Sequence, residues 1–592
     1  MQNWQTNLIA FILLGAMFAM AVLSVRDDSA IRDELPHITA GYSYLTTADY
    51  RINPEHPPLI KDLSALPLLF IKSEINFPKN HACWTDKPND QWCLGNVFLY
   101  ESENNADKII FLSRLPIILL MLLAGFFLFK WTRELAGDKA SLITLFLYTF
   151  SPNIIAHGRF VTTDLGVTAF IIIAFYAYWW FLQKPCSGRL LVAGFAFFLL
   201  QVSKFSAPLL IPVFGLIALL SHMSQRQQKI KQPVFKSFKI AQDHPSLRSR
   251  PIWSLAVIIF IGYLLVGAFY QLHLVNMPKT VQHELINTSW AEHEAVTLKS
   301  ALNWMVEQPV LRPYAQYFLG FAMVASHSIG GHTTYFMGEI GNHWPHYYLI
   351  TYLLKEPISA QLLLLASLIL FIAGAWQFAR QKQGFGQKIL QLTKNYSVQI
   401  GMLAFVLLLL FLGMRSRLQL GIRYILPIFP FLYMFIGWQI SKLLESKVKI
   451  IAYIILILII GFQMNSVLKV HPYYLAYYNE YIGRPQNGWK YLVDSNTDWG
   501  QDLKRLAQFV KDKKIDHIRV DYFGGGNAAY YLGDKAEIWG YDKGRAKGWF
   551  AISASAIQWN SQNEYDMSYK WLTDNYEPVE QIGYSILVFH VD

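Results

Sequence analysis

Charge is what this chain has least of. Only 15% of its 592 residues are Asp, Glu, Lys or Arg, against about a quarter in a typical soluble domain. With 53% of residues hydrophobic, that shortage excludes an ordinary soluble protein. Cysteine is scarce too: Cys83, Cys93 and Cys186 are all there are, and a pair in one loop falls short of a zinc site. Short alternating apolar segments are missing, which excludes a β-barrel. Residues 1–7 hold no Lys or Arg, and the apolar run Leu8 to Val25 lasts 18 residues. A signal peptide has a basic start and an apolar stretch of about 7–15 residues, so the first run reads as an uncleaved helix. No internal repeat stands out, whereas transporters are often built from paired, broken repeats.

What the chain does have is long uncharged runs. Candidate spans are 7–25, 113–130, 140–156, 164–182, 190–203, 205–221, 252–274, 348–378, 398–412, 423–440 and 448–466. Only helices or closed barrels satisfy the backbone in lipid, so the fold class is an all-α polytopic membrane protein of eleven helices. The intervening segments 130–139, 183–189, 222–250, 379–396 and 441–449 carry 19 Lys/Arg against 4 Asp/Glu. Segment 26–110 carries 13 Asp/Glu and 8 Lys/Arg. The positive-inside rule then puts the N-terminus in the cytoplasm. Loops 26–110 and 275–347 and the tail 467–592 fall outside, and the expected location is the cytoplasmic (inner) membrane. The net charge of +11 is largely explained by the inner loops, so no nucleic-acid partner is implied. Cys83 and Cys93 share an outer loop while Cys186 lies in an inner one, which fits a disulfide outside and a reduced thiol inside.

The division expected is a membrane domain over 1–466 and an extracytoplasmic α/β domain over 467–592. Leu503, Leu506 and Val510 have helical spacing. "HIRVDYF", "WFAISAS" and "SILVFHV" read as strands. "GGGNAA" (Gly524–Ala529) after a strand mimics a dinucleotide loop, but a single such match is unspecific and the stretch reads as a glycine turn.

Polar constellations fall at the outer helix ends: "RDELPH" from Arg32, "NPEHPPLIKD" from Asn53, "HGRFVTTD" from His157 and "GIRYILP" from Gly421. Ionisable groups at membrane depth are costly and usually functional. Acids beside cations suit transfer from a phosphate-linked lipid. A carboxylate takes a proton from the acceptor, and cations hold the leaving phosphate. Asp27 and Asp28 read as interfacial charges.

In these motifs the chain resembles the GT-C superfamily of integral-membrane glycosyltransferases, nearest the protein O-mannosyltransferase and aminoarabinose transferase branch. "DELPH" resembles the Asp-Glu-x-x-His motif of the first outer loop. "EHPPLIK" resembles "HPPLGK", and "RFVTTD" resembles Arg-x-x-x-x-Asp. "YLLKEP", "GIRYILPIFP" and "YLAYYNEYIGRPQNGWKYLVDSNTDWGQDLKRL" resemble bacterial members with an extra outer domain. Departures are Pro54 where the mannosyltransferases place an acid, Ile60 where they place Gly, and a tail unlike their sugar-binding repeats.

The resemblance implies a polyprenyl-phosphate sugar donor and an inverting displacement at the anomeric carbon. Asp33 is then the general base, Glu34 assists or orients it, and Asp164 is the second acid. Arg159 and Arg423 become the candidates for the lipid phosphate, with His56, Lys61 and Lys204 behind them. The acceptor is a lipid, a glycan or a protein. In the 275–347 loop, Tyr335, Glu339 and Trp344 are candidate sugar or acceptor contacts. His327, His332, His343 and His346 leave a divalent metal open, although their spacing matches no strict ligand pattern. The competing reading is a transporter or lipid flippase, which should place its ionisable groups near mid-bilayer.

Overall fold

The computed structural model describes residues 3–231, 251–291 and 293–592. Most of the basic 222–250 segment therefore lies outside the described residues. Among the described residues, nine helices are long and apolar enough to cross a membrane. Ser187–Gln201 is a shorter apolar helix. One of the nine, Ala106–Thr149, is broken at Gly137, whose φ of 85° is left-handed. The Tyr148 hydroxyl donates to the Met121 carbonyl at 3.0 Å, 27 positions back. In a straight helix those residues would stand about 40 Å apart. The 44 residues are thus two antiparallel arms, which brings the apolar helices to the expected eleven.

Two expected spans are shorter than their apolar runs. The 348–378 run divides into Tyr347–Lys355 and Ile358–Ala379. Pro357 lies between them, and Glu356 before it is extended, since proline disfavours the α region in its predecessor. The 140–156 run stops at Thr149; Ser151 then accepts the Ile154 N–H and caps a new helix, Pro152–His157.

The tail carries a five-stranded sheet: β3 (Ile518–Asp521), β4 (Ala536–Ile538), β5 (Gly548–Ser553), β6 (Glu580–Ile582) and β7 (Ile586–Val591), in the order β4-β3-β5-β7-β6. The β3 pairings are parallel and the β7 pairings antiparallel. Helix Leu503–Asp512 buries Leu503, Leu506 and Val510, as their spacing predicts.

This sheet does not hang free. Residues 29–32 and 499–503 zip together through backbone bonds Ser29 N–H to Gln501 and Arg32 N–H to Trp499, at 2.9 and 3.0 Å. The glycine turn completes the joint. Gly525 donates to the Ala30 carbonyl, and a Cβ there would meet the Ile31 carbonyl oxygen at 2.2 Å. Beneath lies a buried charge chain: Arg159 to Asp28 at 2.6 Å, Asp28 to Arg505 at 2.6 Å, and Arg505 to Asp502 at 2.5 Å. Asp28 is therefore no interfacial charge. Long-range cations neutralise it, whereas its neighbour Asp27 stays exposed.

Candidate active site

Four charged side chains meet where the apolar helices open towards the tail. Asp33 lies in the loop after the first span, and Asp164 in the first turn of Thr163–Gln183. Lys204 is in the break between Ser187–Gln201 and the next span, and Arg423 in the 3₁₀ turn Ile422–Ile428. All four positions are helix ends on one side of the bundle, because the crossings alternate.

Asp33 immediately precedes the helix Glu34–Thr47, where an Asp usually caps the first turn. Its side chain makes no capping bond. It reaches Arg423 Nη1 instead, at 2.8 Å. The same nitrogen lies 3.6 Å from Asp164, and Lys204 Nζ contacts the other Asp164 oxygen at 2.5 Å. Asp164 is nearly enclosed, whereas the Asp33 and Lys204 side chains retain 25% and 18% of their exposure, so the cluster opens on that flank. Arg423 Nε is buried without a hydrogen-bond partner among the described residues. Arg159 Nε is unpaired in the same way, so what distinguishes Arg423 is its place between two acids. Trp499 of the tail covers the guanidinium, its ring centroid 4.2 Å from Cζ.

Two histidines border the cluster. His37 Nδ1 is 2.9 Å from the Val161 carbonyl. That nitrogen must carry the proton, which leaves Nε2 as an acceptor. The His56 ring meets His37 edge-on at 5.0 Å. Burial pushes both below the usual histidine pKa, and for His56 the neighbouring His37, Lys61, Lys204 and Arg423 add to the effect. Both shifts favour the neutral ring. His157, buried near Asp164, is pushed down to about 3 by burial.

Of the expected residues, the structure thus brings together Asp33, Asp164, Arg423 and Lys204, with His56 beside them. Others are spent elsewhere. Glu34 is fully buried and takes two guanidinium bonds from Arg114, at 2.6 and 2.8 Å. It also accepts the N–H groups of Ile31 and Val161 at 3.0 Å. All its lone-pair directions are used, so it fixes the loop that carries Asp33 and is not free to take a proton. Arg159 is enclosed: its side chain is 1% exposed, paired with Asp28 and bonded to the Ser24 carbonyl. Lys61 is enclosed in the same way. Its ammonium faces Asn53 O, Asn53 Oδ1, His56 O and Tyr44 Oη, at 2.7 to 3.1 Å.

In the 275–347 loop the expected contact residues lie in and beside a hairpin. Tyr335 sits in β1 (Thr334–Phe336), buried against the tail sheet with its hydroxyl on the Lys490 carbonyl. Trp344 Nε1 donates to Glu339 of β2 (Glu339–Gly341), so these two brace the hairpin. The four histidines scatter. His327 and His332 have ring centroids 6.4 Å apart, His343 bonds the Met414 carbonyl, and His346 packs on Phe336. The one group of three potential ligands among the described residues is His81, Cys83 and Cys93. Its cysteines are joined as a disulfide, with Cα atoms 5.7 Å apart.

Sequence reasoning missed Arg114, Asp28 and Arg505 as buried partners, and Trp499 and Asp494 as neighbours of Arg423. Asp494 stands within electrostatic reach of Arg423, His332 and Asp33. Both tail residues belong to "DSNTDWG", which lies within a segment that resembles bacterial members but has no helical or strand periodicity to assign its residues a place.

Fold and cluster define a polytopic membrane protein with its ionisable groups gathered at one mouth of the bundle. Residues 106–240 match the family described as dolichyl-phosphate-mannose-protein mannosyltransferase. The match covers 135 of the chain's 592 residues, and over that stretch the chain is similar to this family of membrane glycosyltransferases. No curated protein sequence matches it. Among solved structures it is similar to the Saccharomyces cerevisiae protein O-mannosyltransferase Pmt1–Pmt2 complex bound to the sugar donor, at 16% identity over 47% of this chain, with a TM-score of 0.34. It spans 35% of that protein's length. ArnT from Cupriavidus metallidurans bound to undecaprenyl phosphate is 12% identical over 100% of this chain and 98% of its own, with a TM-score of 0.31. The oligosaccharyltransferase AglB from Archaeoglobus fulgidus is 10% identical over 92% of this chain and 70% of its own, with a TM-score of 0.43.

Proposed function

We propose that the chain moves a sugar from a polyprenyl-phosphate donor to an acceptor hydroxyl or amine on the outer side of the cytoplasmic membrane, with inversion. The observation that carries this reading is Arg423. One of its nitrogens joins the two acids, and another is buried without a partner. A donor phosphate seated there takes the unpaired N–H and a second ammonium hydrogen of Lys204. Asp33, on the more open flank, accepts the acceptor's proton as its O or N bonds to the anomeric carbon. The bond from that carbon to the phosphate oxygen breaks on the opposite face, and the electron pair leaves with the polyprenyl phosphate. Arg423 and Lys204 then stabilise the growing negative charge in a site of low dielectric. The phosphate is already a fair leaving group, so one base suffices, unlike the paired carboxylates of hydrolases. Asp164 keeps both cations in place.

The basic loops support the orientation, with the N-terminus in the cytoplasm and the tail outside. Purified protein incubated with radiolabelled polyprenyl-phosphate sugars and candidate lipid, glycan and peptide acceptors should release polyprenyl phosphate and label one acceptor class. A flippase would move the donor between leaflets and leave it intact, and that outcome would refute the reading.

A further inference from the structure

A cleft with a volume of about 340 Å³ is lined by Tyr335 of the hairpin, the 489–490 stretch and tail residues of the 557–574 segment, and includes none of the four charged residues of the cluster. Trp489 forms one wall. The Tyr335 hydroxyl and Gln558 Nε2 each donate to the backbone of the 489–490 stretch, at 2.9 and 3.1 Å, and so fix that wall. Ser561, Tyr569 and Asp574 also line it. Trp489 Nε1 is buried with no hydrogen-bond partner among the described residues. Nothing in the charged cluster uses these groups.

We infer that this cleft binds an oligosaccharide, and that it is the acceptor's glycan which it holds. A sugar ring offers an apolar C–H face and hydroxyls that both donate and accept. An indole supplies an apolar face and one N–H. A side-chain amide supplies donors and an acceptor, a serine hydroxyl either, and a carboxylate accepts only. That mixed inventory around one aromatic wall suits a polyol. A peptide added as a strand needs an open sheet edge, and the lining of this cleft offers none. The edge strands of the tail sheet, β4 and β6, supply no lining residue. Strand β1 is taken on both sides, by β2 and by the Phe336–Leu492 bridge.

The Trp489 wall is tied to the charged cluster along the chain: five residues on is Asp494, which stands within electrostatic reach of Arg423 and Asp33. That role as acceptor holder rests on the proposed glycosyl transfer; glycan binding itself does not.

The test uses the full chain in nanodiscs, fluorescently labelled, on a printed array of bacterial surface oligosaccharides and on a hexapeptide array. The wild type should bind at least one glycan class. Trp489→Ala, and Ser561→Trp, which fills the cleft without removing a core side chain, should each weaken binding at least tenfold. Asp33→Asn should bind the array like wild type, so a failure of the catalytic reading leaves this result standing. No glycan signal above empty nanodiscs, equal binding by both cleft variants, or preferential capture of hexapeptides would each overturn the inference.

Discussion

Replacing Arg159 by Gln separates a structural cation from a catalytic one. Its Nη1 holds Asp28 at 2.6 Å and the Ser24 carbonyl at 2.8 Å, with almost no exposure. Breaking a buried pair by removing one partner costs about 3–5 kcal/mol, because the other charge is left uncompensated. Here Asp28 keeps Arg505 at 2.6 Å, so the loss should fall near the lower end, about 3 kcal/mol. In nanodiscs, Arg159→Gln should melt clearly below wild type with the donor KM within twofold. Combining it with Asp28→Asn removes the orphaned charge and should restore at least half of the lost stability. A variant that melts like wild type but whose donor KM rises tenfold would show that Arg159 touches the phosphate, and would refute this reasoning.

Trp499→Leu should keep the fold and raise the donor KM several-fold, since the indole–guanidinium contact is worth about 0.5–2 kcal/mol; an unchanged KM in the same turnover assay would deny Trp499 any part in holding Arg423. Gly525→Ala should loosen the tail, with limited proteolysis cutting between residues 470 and 530 faster than in wild type, because a Cβ has no room beside the Ile31 carbonyl. Asp498 is pushed up to about 7 by burial, so the folded chain retains a proton that the unfolded chain releases near pH 4. Between those values the folded state binds more protons, and stability should fall as pH rises from about 4 to 7 and level off above. Asp498→Asn keeps an acceptor for the Ser555 N–H, which lies 2.8 Å from Asp498 Oδ2, and should flatten that slope in melting curves; a slope unchanged in the variant would place its source elsewhere.

Much of the architecture was legible because it follows from local rules. Uncharged runs marked the eleven apolar helices, and the period of Leu503, Leu506 and Val510 marked a helix under the tail sheet. Asp33, Asp164, Lys204 and Arg423 were legible because charges at apolar helix ends are few. What sequence could not supply was the choice of partner. Arg159 lies five positions from Asp164, yet its carboxylate partner is Asp28, 131 positions away. Glu34 follows Asp33 directly, yet is consumed by Arg114, 80 positions on. The two acids differ only in which way the first turn of a helix rotates them, and the packing of distant segments decides that. The turn at Gly137 was legible too, because the polar segment 130–139 separates two apolar runs and one left-handed glycine breaks the helix there.

The central claim is that Asp33 accepts the proton of the incoming acceptor, and Asp33→Asn tests it most directly. The substitution keeps the shape and removes the base. Polyprenyl phosphate should bind the variant within twofold of wild type, while release of polyprenyl phosphate from the sugar donor should fall at least a hundredfold, the lower end of about 10²–10⁴ for a positioned base. Full turnover by Asp33→Asn would contradict the account.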